Sequence, residues 1–425
     1  MQQRLTLFGL VGRTASWPQH IEAWATADTV PFRVSYCRSV AHLRARLDAS
    51  DHACGVLLDG DLSFVDRDLL TALASAGGVT IVAAGARRRR PWPELGAAAV
   101  LPLDFDRDQL LEAVRDVVDV PVEVPARPAA SLIAVTGPGG TGASVTAIAL
   151  AQGLAAARRR VLLADCCLHA EQAMLHNAHG TQPNVADVVE HHAGHTPEPR
   201  EVRQLALGIV ERGYYLLPGI ARARHWSRIP EASLRAAMHS LRAAFDVVVA
   251  DVDVDVEGEE QGGSLDVEER NVLARTVIGD ADAVMVVGQP TMKGVYATVR
   301  AMVELLEFGV PPGRLLPVIN RATTDPAVRA DLSRAVSHLM GGVVGGGTAA
   351  VAGMGSVGPV LFAPCVVVEE RLRERDTLDD AWPSLLAGAV TAMLDRVGER
   401  PATKALPEPV AAGSLGHWAG AEDGT

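Results

Sequence analysis

The chain alternates short apolar runs with stretches whose apolar residues recur every three or four positions. Over residues 1–122 the runs "RLTLFGLVG", "FRVSYC", "ACGVLLDGD", "VTIVAAG" and "AAVLPLD" read as strands. Between or after them, "SVAHLRARLDA", "DRDLLTALASA" and "DRDQLLEAVRDVV" carry helical spacing. Short strands spaced by helices predict a parallel sheet covered on both faces. The proline- and alanine-rich "VEVPARPAAS" interrupts the pattern and predicts a linker over 123–130.

A second α/β unit is expected over 131–398, opening on "SLIAVTG". Its later strand candidates are "RVLLAD", "GYYLLPG", "FDVVVAD", "DAVMVVG" and "RLLPVIN", and "MKGVYATVRAMVELLEFG" is the clearest helix. The tail over 399–425 lacks periodicity and is expected to be disordered. No internal repeat relates the two units.

Composition sharpens this picture. A chain of 425 residues, 48% of them hydrophobic, is long enough for two domains with a core each. Its net charge of -12 argues against a general attraction to nucleic acid or anionic lipid. Arginine carries nearly all the basic charge, and the only lysines are Lys293 and Lys404. Cys37, Cys54, Cys166, Cys167 and Cys365 form no CxxC pair, which predicts reduced thiols in a cytoplasmic protein.

The N-terminal apolar run has no cleavage pattern and reads as a first strand. The uncharged stretch 341–368 is rich in glycine and predicts a loop leading into a buried strand, not a span. "RRRR" at 87–90 is read as a solvated loop, and the histidines of "HAEQAMLHNAHG" and "EHHAGH" as exposed residues without metal. "SLLAGAVTAMLDRVGER" has helical apolar spacing without a strong basic face, which favours packing onto the second unit over insertion in a membrane.

The segment that carries chemistry is "SLIAVTGPGGTGASVTAIALAQGLA", a strand, a glycine loop and a helix in that order. Glycines let the backbone approach a phosphate closely, successive N–H groups cradle it, and the helix N-terminus adds a favourable dipole. Ser144 sits where a hydroxyl reaches Mg²⁺. Asp165 in "VLLADCC" and Asp251 in "FDVVVADVD" end apolar strands, where a carboxylate beside the loop holds magnesium or orders its waters.

These motifs resemble the MinD/ParA-type deviant Walker ATPases, in particular the CpaE/TadZ-like branch and actinobacterial septum-site-determining relatives. The family loop reads approximately KGGxGK[ST], and "PGGTGAS" covers it here. The resemblance implies a P-loop NTPase domain of three α/β/α layers, with Gly137, Gly139, Gly140, Thr141, Gly142 and Ser144 around the phosphates. It further implies Asn320, in "LLPVINRA", at the adenine base, and Ser144, Asp165 and Asp251 at the metal.

Three positions depart from the family pattern. Pro138 stands where a signature lysine crosses the dimer interface, Ala143 where the Walker lysine meets the β- and γ-phosphates, and Cys167 where a DxD pair has its second aspartate. Losing one cationic donor of this kind removes about 3 kcal/mol of transition-state stabilisation, on the order of a hundredfold in rate. Drift away from lysine would leave arginine, whereas these sites are neutral. The acidic stretch "DVDVDVEGEEQGGSLDVEE" reads as a solvated loop that would repel phosphate if it folded over the site.

The N-terminal unit resembles the atypical, flavodoxin-type receiver domain that accompanies this branch. Asp59 in "VLLDGD" matches a phospho-acceptor, but the acidic pair after the first strand and the late lysine are missing. A docking or dimerising module is therefore expected there in place of a phosphosite.

Together the resemblance implies a homodimeric regulator that positions septum or Flp/Tad-type pilus-secretion machinery through protein partners. ATP or ADP with Mg²⁺ would be a weak or lost ligand, and no specific nucleic acid is expected. The implied location is the cytoplasm, with peripheral contact at the inner face of the membrane left open. A slow ATPase switch and a nucleotide-free scaffold are the alternatives.

Overall fold

The computed structural model describes residues 5–398, apart from 13–14, 27–29, 31, 50–53, 86–89, 119–129, 179–181, 260–263, 347–356, 367, 369–370, 373, 375 and 379–380. The expected linker, apart from Ala130, the expected disordered tail and three residues of the arginine run lie outside the described residues.

The first sheet contains β1 (Leu5–Leu10), β2 (Phe32–Cys37), β3 (Cys54–Asp59), β4 (Gly78–Ala84) and β5 (Ala99–Pro102). All its pairs are parallel and its order is β2-β1-β3-β4-β5, an order found in doubly wound sheets. Alternation along the strands builds two cores. Leu7, Leu57 and Ile81 face Trp17, Ile21 and Leu110, while Val56, Leu58 and Val82 face Leu43, Leu70 and Leu73.

The second sheet holds β6 (Ser131–Thr136), β7 (Val161–Cys166), β8 (Leu207–Ile209), β9 (Tyr214–Leu217), β10 (Val247–Val252), β11 (Ala283–Gly288), β12 (Leu315–Ala322) and β13 (Leu361–Pro364). Its order is β13-β12-β11-β6-β10-β7-β9-β8, parallel throughout except for the β8–β9 pair. In β6, Ile133 and Val135 pack beneath helix Ala143–Ala156 and helix Ala381–Gly398, and Leu132 and Ala134 face the helices of the opposite layer. Because β6 lies between β10 and β11, the loop after it opens where the connections diverge, the usual place for a ligand crevice in such sheets.

The uncharged stretch 341–368 is corrected on two points. The uncharged stretch does not begin as a loop: helix Pro326–Gly346 runs into it, and β13 is an edge strand that is only partly buried. The helix carrying "SLLAGAVTAML" buries Trp382, Leu386, Val390 and Met393 inside the domain, so that apolar face is used internally. Among the described residues no helix is long and apolar enough to cross a membrane.

The two units meet through helix Arg67–Ser75. Arg67 donates from Nε to His192 O (2.9 Å) and from Nη2 to Thr196 Oγ1 (2.8 Å). Asp68 accepts from both the backbone N–H and the hydroxyl of Ser233, at 3.0 and 2.7 Å.

The histidines depart from expectation, because among the five described in these stretches His176 and His192 are buried. His176 has no exposed surface, and its Nδ1–H donates to Gln172 O while Nε2 accepts from Tyr214 Oη at 2.6 Å. His192, on helix Val185–Gly194, is also fully buried and donates from Nδ1 to Val188 O at 2.7 Å. Burial, with Arg67, His195 and His191 nearby, lowers its pKa to about 4, although the Val188 carbonyl opposes the shift. The unfolded chain therefore binds the proton first, and stability at this site is complete above about pH 6.5 and is lost as pH falls toward 4. We expect an acid-induced loss on the order of 2–3 kcal/mol, which His192→Gln should flatten in urea melts compared at pH 7 and pH 4.5. Equal pH slopes for the two proteins would contradict this account.

Candidate nucleotide site

The loop after β6 is built by its glycines. Gly140 and Gly142 hold φ of 78° and 87°, in the left-handed region that costs other residues most. A Cβ on Gly137 would lie 2.3 Å from Val287 O, so the loop has to be bare where it crosses β11. Gly139 and Gly140 face open space on their Cβ side. Helix Ala143–Ala156 begins at Gly142 without a side-chain cap, which leaves its first N–H groups free to meet an anion.

Two side chains pin this loop from the neighbouring strand ends. Gln289 Nε2 donates to Gly140 O, and Asn320 Nδ2 donates to Thr141 O, each at 2.8 Å. Asn320 Oδ1 accepts from Arg321 N at 2.8 Å. Asn320 is thus a buried brace beneath the loop; it does not line the cavity.

The cavity has a volume of about 390 Å³. Gly137, Pro138, Gly139, Gly140, Thr141, Gly142, Ala143 and Ser144 form its wall, opposite Cys167, Asp251, Asp253 and Arg321. The structure therefore gathers the loop, Ser144 and the strand-end acids, and it places Pro138 and Ala143 on the same wall without charge.

Asp165 and Asp251 lie side by side because β7 and β10 are paired in register, Asp251 opposite Asp165. Both are almost wholly buried. Burial, reinforced for Asp165 by the Asp251 charge, raises their pKa values well above the usual carboxylate range. Cys167 is pushed up in the same way, first by burial and then by the two carboxylates.

A residue invisible to sequence reasoning completes this cluster. Gln172 is fully buried, and its Nε2 donates to Asp251 Oδ2 (2.7 Å) and Ser144 O (3.0 Å). Its backbone N–H donates to Asp165 Oδ2 at 2.9 Å. A neutral amide thus bridges two carboxylates, and the His176–Tyr214 pair holds its backbone from behind. The oxygen donors of Ser144, Asp165 and Asp251 suit Mg²⁺, whereas the Cys167 thiol does not.

Arg321 was also missed. It is an exposed residue with φ of 54° at the end of β12, and it contributes the arginine of the cavity lining. No periodicity marks it, because it is an exposed residue near the end of a strand whose other positions are buried.

The acidic stretch after β10 is less free than expected. Asp255 pairs with Arg270 at 2.7 Å and Glu268 with Arg275 at 3.5 Å, while Asp253 accepts from Leu168 N at 2.7 Å and reaches the cavity. In the first unit, Asp59 is 3% exposed, with Oδ2 accepting from Gly12 N and Oδ1 from Asp61 N, each at 3.0 Å.

A glycine loop thus runs from an inner parallel strand into an uncapped helix, the arrangement that suits a phosphate group. No protein-family model matches the chain, and no curated protein sequence matches it. Among solved structures, a ParA family ATPase from Chlorobium tepidum is 15% identical, covering 65% of this chain and 100% of its own, with a TM-score of 0.44. The cell division ATPase MinD of Pyrococcus furiosus is 17% identical over 62% of this chain and 99% of its own, with a TM-score of 0.44. The septum site-determining protein MinD of Pyrococcus horikoshii, complexed with Mg-ADP, is 16% identical over 64% of this chain and 96% of its own, with a TM-score of 0.41.

Proposed function

We propose that the chain is a spatial or assembly regulator of septum or Flp/Tad-type pilus-secretion machinery. It works as a homodimer through protein partners, with Mg-nucleotide a weak ligand and hydrolysis slow or absent. The observation that carries this reading is the neutrality of the cradle. Its backbone geometry suits phosphate, but Pro138 and Ala143 bring no charge to the wall, and Gln172 occupies Asp251. The positional role rests on the MinD/ParA-type character of the loop and strand motifs.

In this reading Gly137, Gly139, Gly140, Thr141 and Gly142 hold the phosphates through backbone N–H groups. Ser144, Asp165 and Asp251 hold magnesium, and Asn320 acts on the base side by bracing the loop. The first unit is a receiver-like docking module, a role supported by Asp59, whose two oxygens are already taken by backbone donors. Arg321 favours a second reading, a slow ATPase switch in which this arginine supplies part of the missing phosphate charge.

Calorimetry of the full chain with Mg-ATP and Mg-ADP, with mass measured by light scattering in the same samples, tests the proposal. Weak binding with an unchanged dimer supports it. Tight ATP binding that creates the dimer supports the switch, and no heat at all leaves a nucleotide-free scaffold.

A further inference from the structure

Cys167 sets a sulfur donor beside two strand-end carboxylates. Oxygen or sulfur donors from Asp165, Cys167 and Asp251 all lie within 4.8 Å of one another at the ends of β7 and β10, the two carboxylates buried and the thiol half-buried on the cavity wall. Register pairing fixes the two carboxylates, and the Cys167 backbone N–H donates to Asp165 Oδ1 at 3.2 Å, which holds the thiol-bearing turn against them.

An independent observation points to a ligand here. Gln172 has no exposed surface, and its Oε1 has no hydrogen-bond partner among the described residues. That oxygen belongs to the amide whose nitrogen donates to Asp251 and whose backbone N–H donates to Asp165, so a buried, unpartnered acceptor is carried by a residue bonded to both carboxylates. Such an arrangement is costly without a donor or cation. The three cluster residues with Gln172 Oε1 make four donors, one of them sulfur.

We propose that Asp165, Cys167 and Asp251 form a site for a thiophilic divalent cation of the Zn²⁺ class, with the Gln172 amide oxygen as its fourth donor. Magnesium takes oxygen ligands and keeps its waters, whereas zinc accepts mixed sulfur and oxygen donors in a closed four-coordinate shell. Binding forms a metal–sulfur bond as the Cys167 thiol releases its proton to solvent. Asp165 and Asp251 are also the carboxylates of the magnesium reading, so Zn²⁺ and Mg²⁺ are alternative occupants there, and zinc uptake is tested without nucleotide.

The test uses the full, metal-stripped chain without nucleotide. Zn²⁺ is titrated in competition with a chromophoric chelator, and Co²⁺ replaces it for spectroscopy. The wild type is expected to take up one equivalent and to give a thiolate-to-cobalt charge-transfer band. Cys167→Ser should bind at least tenfold more weakly and lose the band, while Cys365→Ser, at an exposed thiol elsewhere, should change neither. Gln172→Ala, checked for folding by circular dichroism, should weaken uptake and keep the band. Absence of uptake by the folded wild type, or a band that survives in Cys167→Ser, would overturn the proposal. Weak nucleotide binding and zinc uptake are separate readouts, so either can fail alone.

Discussion

Ala143→Lys is expected to raise single-turnover hydrolysis of Mg-ATP on the order of a hundredfold over the wild-type chain. Residue 143 is the first of its helix and lines the cavity next to Ser144, so a lysine there would extend along the phosphates. A single preorganised cationic donor is worth about 3 kcal/mol in a site of this kind, which corresponds to that factor. The gain should vanish when Asp251→Ala is added, because the metal-side carboxylate is then gone. A folded Ala143→Lys protein that binds Mg-ATP without a rate increase would show that charge is not what the cradle lacks.

The second large effect is structural. Gly153→Val is expected to destabilise the second unit by roughly 3 kcal/mol or more. A Cβ at this position would lie 2.1 Å from Pro383 O and 2.5 Å from Pro383 C, which are backbone atoms of the opposing helix and cannot swing aside. In an exposed helix the exchange of Gly153 for Ala would gain about 1 kcal/mol from propensity. Here even Gly153→Ala should lose stability, and the sign of that smaller change is the sharper check by urea melts. Stabilisation by Gly153→Ala would mean that helix Ala381–Gly398 does not dock on helix Ala143–Ala156.

Much of this fold was legible because buried parallel strands are written as apolar runs. Each of the eleven runs contains a strand, from Leu5–Leu10 to Leu315–Ala322. Leu207–Ile209, which no run marks, is three residues long and lies at a sheet edge, and Leu361–Pro364, expected as a buried strand, is a four-residue edge strand only partly buried. Helix Val185–Gly194 did carry a signal, since Asn184 and Asp187 form a capping box that the histidines around it obscured.

The site was legible in part, for a similar reason. Glycine φ requirements and strand-end acids are local, so Gly140, Gly142, Asp165 and Asp251 could be placed from the chain alone. Gln172 could not, because its role depends on β7 and β10 bringing two carboxylates to one turn. The burial of His176 and His192 is likewise a product of tertiary packing, and polar neighbours in the sequence concealed it. The contact of Asn320 with Thr141 O likewise links residues far apart in the chain.

In this chain a phosphate cradle is kept without the lysine charges that drive turnover. Single-turnover ATP hydrolysis by the wild-type chain, set beside Asp251→Ala under saturating Mg-ATP, tests it most directly. The wild-type rate is expected to fall within a few-fold of that variant. A wild-type rate a hundredfold above Asp251→Ala would contradict it and make the chain a working ATPase.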